Sequence, residues 1–135
     1  MIYGIGIDLV SIKRIKEVID RWGMRFINRV FTDREIDFCL KRPKSAQAFA
    51  SRFAAKEAFS KAIGLGMRKG ITWRDIETLQ QASGKPDLKI SGKSLSLCEQ
   101  ERITNWHITL SDENGFSIAV VVLEKGNIDN YINNS

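Results

Sequence analysis

The stretch from Ser45 to Ile63 constrains the fold of this chain more than any other part of its sequence. Its residues are SAQAFASRFAAKEAFSKAI, and Gly64 follows them. Because glycine commonly ends a helix, we predict one long helix over this stretch, the longest in the chain. It is rich in alanine and phenylalanine and poor in long aliphatic side chains, so another backbone or a ligand can approach it closely.

The amino-terminal segment from Ile2 to Val10 alternates isoleucine and glycine before an acidic residue, Asp8. We predict a short strand whose glycines allow close backbone approach. Ser11 then begins a helix that ends at Gly23. One face of this helix is apolar and is predicted to pack against the core, with Ile12, Ile15, Ile19 and Trp22. The other face is basic, with Lys13, Arg14, Lys16 and Arg21.

The rest of the chain mixes short helices with strands. A capping box at Thr32–Glu35 opens a helix that runs to about Lys41, before Pro43. We then predict a strand over 71–81, a turn at Ser83–Pro86, a strand over 88–90 and a helix over 93–102. Strands over 107–111 and 116–124 form a hairpin around Asp112–Gly115. Strands and helices do not alternate regularly, so we predict an α+β fold rather than a doubly wound one.

The length and composition of the chain predict a single domain. With 135 residues, 43% of them hydrophobic, the chain can bury a core over residues 1–125, and residues 126–135 form a polar tail. The amino terminus has no basic segment of the signal-peptide type, and the apolar run Ile118–Leu123 is far too short for a membrane span. We therefore expect a cytoplasmic protein without a membrane partner, whose Cys39 and Cys98 stay reduced.

The charge balance is basic, with 21 lysines and arginines against 16 acidic residues and a net charge of +5. Such a balance suits a nucleic acid, a phosphorylated cofactor or an acidic protein, although many basic proteins bind no such partner. Two distant cysteines and one histidine make a zinc site of these residues unexpected. The GxGxxG, Walker and GxSxG motifs are absent from the sequence.

Three features of the sequence are candidates for chemistry. Asp8 follows a glycine-containing strand and can bind a hard cation such as Mg²⁺, or it merely supports the cap of the next helix. Glu57 and Lys61 lie four apart on one helix face, where Glu57 can share a cation with Asp8 while Lys61 meets phosphate oxygens. The alternative for that pair is an ordinary exposed ion pair. His107 is predicted to point away from the core, as a ligand-binding group or as a structural or solvent-facing residue.

Five segments of the sequence together resemble one enzyme family. They are GIGIDLV with Asp8, NRVFTDRE at 28–35, RFAAKEAFSKAIGLG at 52–66, SGKP at 83–86 and HITLSDE at 107–113. In this order and over nearly the whole chain, they resemble the holo-acyl-carrier-protein synthases, the short members of the 4′-phosphopantetheinyl transferase superfamily. One departure is Asp112, which stands where many members carry a second histidine, and we assign it no role.

The resemblance implies transfer of the 4′-phosphopantetheine arm from coenzyme A to a serine of apo-acyl carrier protein, with release of 3′,5′-ADP, in support of fatty acid biosynthesis. It also implies Mg²⁺ held by carboxylates matching Asp8 and Glu57, and a homotrimer with active sites between protomers. We expect the Ala-rich helix and the last hairpin to bear more apolar surface than one small domain can cover, which agrees with a trimer. Glu57 is the candidate to take the serine proton, and a water polarised by the cation is the alternative.

Given this resemblance, further residues are candidates for binding the two substrates. Lys61 is expected at the pyrophosphate, and the basic face with Arg14 and Arg21 is expected to dock the acidic carrier protein. The candidates for the remaining phosphate and the adenine of coenzyme A are Lys44, Arg52, Gly64, Gly66, Ser83, Gly84, Lys85, Pro86 and His107.

Two other classes of function are weighed against this one. A small basic nucleic-acid-binding module would use the net charge and the aromatic residues Phe49, Phe53 and Phe59, but no RNA-binding or helix-turn-helix pattern is visible. A structural trimer that has lost activity would be expected to lack Asp8, Glu57 or Lys61, and all three are present.

Overall fold

The computed structural model describes residues 1–64 and 70–126. Helices and antiparallel strands are mixed along the chain, which confirms the α+β prediction. The elements are β1 (Ile2–Ser11), α1 (Ile12–Trp22), α2 (Met24–Val30), α3 (Asp33–Leu40), α4 (Ser45–Ile63), a 3₁₀ turn (Trp73–Asp75), β2 (Ile76–Gln80), β3 (Pro86–Ile90), α5 (Gly92–Gln100), β4 (Ile103–Glu113) and β5 (Phe116–Lys125).

A three-stranded sheet packs with one face against α4. Its strand order is β1-β5-β4 and both pairings are antiparallel, while β2 and β3 form a separate hairpin. Side chains alternate between the two faces of a strand, so Ala119, Val121 and Leu123 of β5 are buried towards the helix. Helix α4 is therefore the centre of the core, with most of its residues buried.

The two glycines of β1 bring this strand unusually close to α4. A Cβ atom added to Gly4 would lie 2.0 Å from the carbonyl oxygen of Ala62, and one added to Gly6 would lie 1.8 Å from that of Ala58. No side chain fits at such distances, so only glycine permits this contact. The predictions of close approach for the strand and for the Ala-rich helix are both confirmed.

The predicted helix boundaries of α1, α3 and α4 are confirmed by their capping contacts. The Ser11 hydroxyl accepts a hydrogen bond from the Arg14 amide at 3.3 Å, and Thr32 forms a complete capping box with Glu35. Gly64 ends α4 in the left-handed conformation, with φ of 86°. These local signals fix where the three helices begin or end.

Several expectations for the first 81 residues are wrong. Trp22 is 50% exposed and is not a core residue, because no residue in the last turn of α1 is buried. Helix α2 was not expected, because Gly23 ends α1 and begins the next helix at once. The strand predicted over 71–81 begins only at Ile76, because Trp73 and its neighbours form the 3₁₀ turn.

The carboxyl-terminal hairpin is confirmed, and it is longer than expected. Asn114 and Gly115 form its turn with φ of 52° and 81°, the left-handed values that this type of hairpin turn requires. Trp106, Ile108 and Leu110 are half-buried, on the sheet face that packs inward. The predicted tail lies outside the described residues from 127 onward. No helix among the described residues is long and apolar enough to cross a membrane.

Candidate active site

The glycine contact places Asp8 directly against α4. Asp8 alternates onto the same face of β1 as Gly4 and Gly6 and lies beside the last turns of the helix. The Lys61 ammonium group donates to Asp8 Oδ1 at 2.9 Å and to the Ile7 carbonyl oxygen at 3.1 Å. Among the described residues Lys61 therefore pairs with Asp8 and not, as in an ordinary helix-surface pair, with Glu57.

Asp8 and Glu57 line one cavity between β1, α1 and α4. Its volume is about 330 Å³, and Arg14 lies at its wall with them. The rest of the lining is mostly apolar: Leu9, Val10, Ile15, Val18, Phe26 and Phe53. The structure thus brings together the three residues predicted for catalysis, Asp8, Glu57 and Lys61, although Asp8 is about fifty residues from the other two in sequence.

The electrostatics of Glu57 follow from this cavity. Partial burial raises the pKa of the Glu57 carboxyl group, the negative charge of Asp8 raises it further, and the ammonium group of Lys61 lowers it. Two carboxylates that repel each other across a cavity suit a divalent cation, and Mg²⁺ is commonly held by one or two carboxylates together with waters and substrate phosphates. Residues 1–64 and 70–126 contain no group of three or more histidine, cysteine, aspartate or glutamate residues that could hold a metal ion. The candidate ligands in this part of the chain are therefore the two carboxylates.

We expect the pKa of Glu57 to respond oppositely to changes at its two neighbours. Asp8→Asn removes a negative charge and should lower this pKa, whereas Lys61→Met removes a positive charge and should raise it. The measurement is a carbon-detected NMR titration of the Glu57 carboxyl group without added metal. A pKa that moved in the same direction in both variants would contradict the arrangement.

A second pocket, here called the arginine pocket, lies around Arg52 between α3, α4 and the β4–β5 turn. Its volume is about 420 Å³, and its polar lining is Arg42, Lys44, Gln47, Ser51, Arg52, Gln80 and Asp112. Two predicted cofactor residues, Lys44 and Arg52, are brought together here. They lie apart from Glu57, whose side chain lines the other cavity.

Arg52 is the buried cation of the arginine pocket. Its side chain is 7% exposed, its guanidinium carbon lies 4.2 Å from the centre of the Phe38 ring, and it donates to Ser51 Oγ at 3.0 Å. Its Nε atom is buried without a partner among the described residues, and burial lowers the pKa of the group. A buried guanidinium with an unused donor favours an anionic ligand.

Sequence reasoning did not assign several residues of the arginine pocket. Asp112 accepts hydrogen bonds from Gln47 at 2.9 Å and Ser117 at 2.5 Å, and the Arg42 guanidinium carbon lies 4.2 Å from the centre of the Phe38 ring. Gln47 and Asp112 are 65 residues apart, so no local pattern could have indicated their contact.

The remaining predicted cofactor residues lie elsewhere in the chain. His107 is exposed on the outer sheet face, as predicted, and its ring bonds Glu124. Gly64 ends α4, and the Ser83–Pro86 turn joins β2 to β3. Gly66 lies outside the described residues. One chain therefore does not gather all the predicted residues into one site.

The predicted docking face lies on α1, next to the cavity with Asp8. Arg14 lines that cavity, and the Arg21 guanidinium lies 5.2 Å from the Trp22 ring. Exposed Trp22 and Met24 add an apolar surface here that sequence reasoning did not predict. In contrast, Phe49 and Phe59 are buried, so they are not available to stack on nucleic acid bases.

Comparison with known proteins identifies similar chains. A model of the 4′-phosphopantetheinyl transferase superfamily matches residues 4–121. The holo-[acyl-carrier-protein] synthase of Geobacter sulfurreducens is 42% identical over 93% of this chain and 99% of its own. That of Halothermothrix orenii is 44% identical over 93% of this chain and 100% of its own.

Solved structures show the same likeness. The holo-[acyl-carrier-protein] synthase of Neisseria meningitidis has a TM-score of 0.85 and 40% identity, covering 93% of this chain and 100% of that one. The Helicobacter pylori enzyme, solved in complex with coenzyme A, has a TM-score of 0.79 and 33% identity over 89% of this chain and 99% of that one.

Proposed function

Because the chain belongs to the holo-[acyl-carrier-protein] synthases of the 4′-phosphopantetheinyl transferase superfamily, we propose that it transfers the 4′-phosphopantetheine arm of coenzyme A to a serine of an apo-acyl carrier protein. The observation that carries this proposal is that Asp8 and Glu57 line one cavity and that Lys61 bonds Asp8. The coproduct is adenosine 3′,5′-bisphosphate. The enzyme acts in the cytoplasm and supplies holo-carrier protein for fatty acid biosynthesis.

The reaction exchanges the phosphoanhydride bond of the pyrophosphate for a phosphoester bond to serine. The serine oxygen forms a bond to the phosphorus next to the pantetheine arm, and the bond from that phosphorus to the bridging oxygen of the pyrophosphate breaks. Glu57, whose pKa is raised by burial and by the charge of Asp8, would take the serine proton, and a water polarised by the cation is the alternative. Lys61 exposes about half of its side chain beside Asp8, where its charge stabilises the departing phosphate.

Asp8 and Glu57 would hold the Mg²⁺ ion. When bound, the ion neutralises negative charge on the pyrophosphate of coenzyme A. Their shared cavity and the mutual repulsion of their charges support this assignment.

The arginine pocket would bind the phosphate on the ribose of coenzyme A. Arg52 offers a buried guanidinium with an unused donor, and Lys44 adds a second positive charge. Because the arginine pocket and the cavity with Glu57 are separate in one chain, we propose that a complete site takes the two from neighbouring protomers.

Self-association is supported by the outer face of the sheet. On β1, Ile5, Ile7 and Leu9 are each close to 60% exposed, and their partners on β5 are also aliphatic. A continuous apolar face of this kind marks an interaction surface. The Ala-rich helix, by contrast, is covered within the chain, so it does not supply the excess surface. The proposed assembly is a homotrimer with active sites between protomers.

We expect Ile7→Lys to dissociate the assembly, because it places a charge in the middle of this apolar face. Sedimentation velocity should show a trimer for the original protein and smaller species for the variant. Leu40→Lys, at an equally exposed apolar residue on α3, is the control and should leave the trimer intact. A monomer with full transfer activity would contradict the assembly.

Arg14→Glu is expected to raise the KM for the carrier protein about tenfold and to flatten its dependence on salt, because opposite charges steer and dock acidic partners. The matched control is Lys16→Glu, the same charge change about 200° around α1 from Arg14, so Lys16 does not share the side of the helix that carries Arg14 and Arg21. Since Arg14 also lines the cavity with Asp8, the KM for coenzyme A is measured in parallel. A larger change in the KM for coenzyme A than in that for the carrier would assign this face to the wrong substrate.

The proposed reaction is tested by following adenosine 3′,5′-bisphosphate chromatographically. Release is expected only when the protein, coenzyme A, Mg²⁺ and an apo-acyl carrier protein are all present. A carrier protein with alanine in place of the accepting serine should abolish it. Release that does not depend on the carrier, or no release together with salt-dependent nucleic acid binding, would contradict the proposal.

A further inference from the structure

Lys56 precedes Glu57 in the sequence, yet the mechanism makes no use of it. Its side chain is fully buried, and its ammonium group donates to Glu35 Oε1 at 2.7 Å, to the Trp73 carbonyl oxygen at 2.9 Å and to the Ile76 carbonyl oxygen. All three donors are therefore used. Lys56 ties α4 to α3, to the 3₁₀ turn and to the start of β2 at a single point.

Glu35 completes the charge pair from the side of α3. Its Oε1 also accepts the Thr32 amide at 3.0 Å, and its Oε2 accepts the Thr78 amide at 3.1 Å. The buried carboxylate is thus satisfied by backbone groups as well as by Lys56. Such a fully bonded buried pair fixes the geometry of the elements that it joins.

The contact with Trp73 extends this network to the active-site cavity. The Trp73 ring stacks on the Phe53 ring, with centroids 5.1 Å apart and an interplanar angle of 23°. Phe53 lines the cavity together with Asp8 and Glu57. The backbone carbonyl that Lys56 holds therefore belongs to the residue whose ring supports the cavity wall.

We propose that Lys56 is a positioning residue for the transfer reaction: by holding the Trp73 carbonyl group it fixes the Trp73–Phe53 stack, and through that stack the wall of the cavity that faces Asp8 and Glu57. The proposal rests on the proposed function. It differs from a merely structural role because it requires an effect on turnover beyond the effect on stability.

The first test is Lys56→Met, which keeps the length of the side chain and removes its three donors. We expect kcat to fall about tenfold or more at temperatures well below unfolding, because small displacements at a reacting centre are costly. The KM for coenzyme A should change less than about threefold, since Lys56 contacts neither Lys61 nor the arginine pocket. The near-ultraviolet circular dichroism of the Trp73–Phe53 stack should weaken.

A second variant keeps the test decisive if Lys56→Met does not fold. Trp73→Leu removes the stack but leaves the pair of Lys56 and Glu35 in place, and it should reproduce the loss of kcat. Arg34→Gln is the control, because it breaks an ion pair with Glu77 in the same region without touching Trp73 or Phe53. It should leave kcat unchanged.

Full kcat in folded Trp73→Leu would overturn the proposal. So would a loss of activity in Lys56→Met and Arg34→Gln that merely tracks the fraction of unfolded protein. If the original protein transfers nothing, the proposed function fails instead. The circular dichroism signal needs no substrate, so an unchanged signal in Lys56→Met would overturn the positioning role even then.

Discussion

Glu57→Gln and Asp8→Asn are each expected to lower kcat by about a thousandfold, within the range that one general base or one cation site commonly contributes. Glutamine cannot accept the serine proton, and either amide removes half of the negative charge available to hold Mg²⁺. Both carboxylates face the same cavity, so each loss should be nearly complete by itself. The measurement is kcat with both substrates and Mg²⁺ saturating.

The two variants should keep their fold. The pKa of Glu57 is raised in the folded protein, so ionisation of this group opposes folding above its unfolded pKa, and Glu57→Gln should unfold at a temperature no lower than the original. Glu99→Gln, at an exposed glutamate on α5, is the matched control for the chemical change. Near-normal turnover in either active-site variant would mean that the site is wrongly assigned.

Gly6→Ala is expected to lower the free energy of unfolding by about 3 kcal/mol or more, at the upper end of what overpacking costs in a core. The new methyl group would lie 1.8 Å from the carbonyl oxygen of Ala58, so β1 must move away from α4. That movement would also separate Asp8 from Lys61. Urea unfolding measures the first effect, and the transfer rate of the folded fraction measures the second.

A companion variant tests the cause of this loss. Because the collision is with the backbone of Ala58 and not with its side chain, Ala58→Gly should fail to restore the stability of Gly6→Ala. Rescue by Ala58→Gly, or native stability of Gly6→Ala alone, would show that the strand and the helix have room to spare.

Features that depend on neighbours in the sequence could be predicted well. The Thr32 capping box, the Gly64 helix end and the Asn114–Gly115 hairpin turn are each specified by a few adjacent residues, and each is observed. The convergence of Asp8 with the end of α4 was also predictable, since the glycines of the strand and the alanines of the helix indicate a close contact.

Features that depend on distant contacts could not be predicted. The partner of Lys61 is Asp8, because packing of β1 on α4 brings that carboxylate nearer to it than the one on its own helix face. Trp22 fits the apolar face of α1 by periodicity, yet no residue in the last turn of that helix is buried. The exposure of Ile5, Ile7 and Leu9 on β1 likewise depends on which face of the sheet packs against α4.

The most direct test of this account is the intact mass of an apo-acyl carrier protein after incubation with this protein, coenzyme A and Mg²⁺. We expect the carrier mass to increase by one phosphopantetheine arm, located on a single serine by peptide analysis, and we expect no increase with Glu57→Gln. A carrier whose mass stays unchanged with the original protein, or increases equally with Glu57→Gln, would contradict the account.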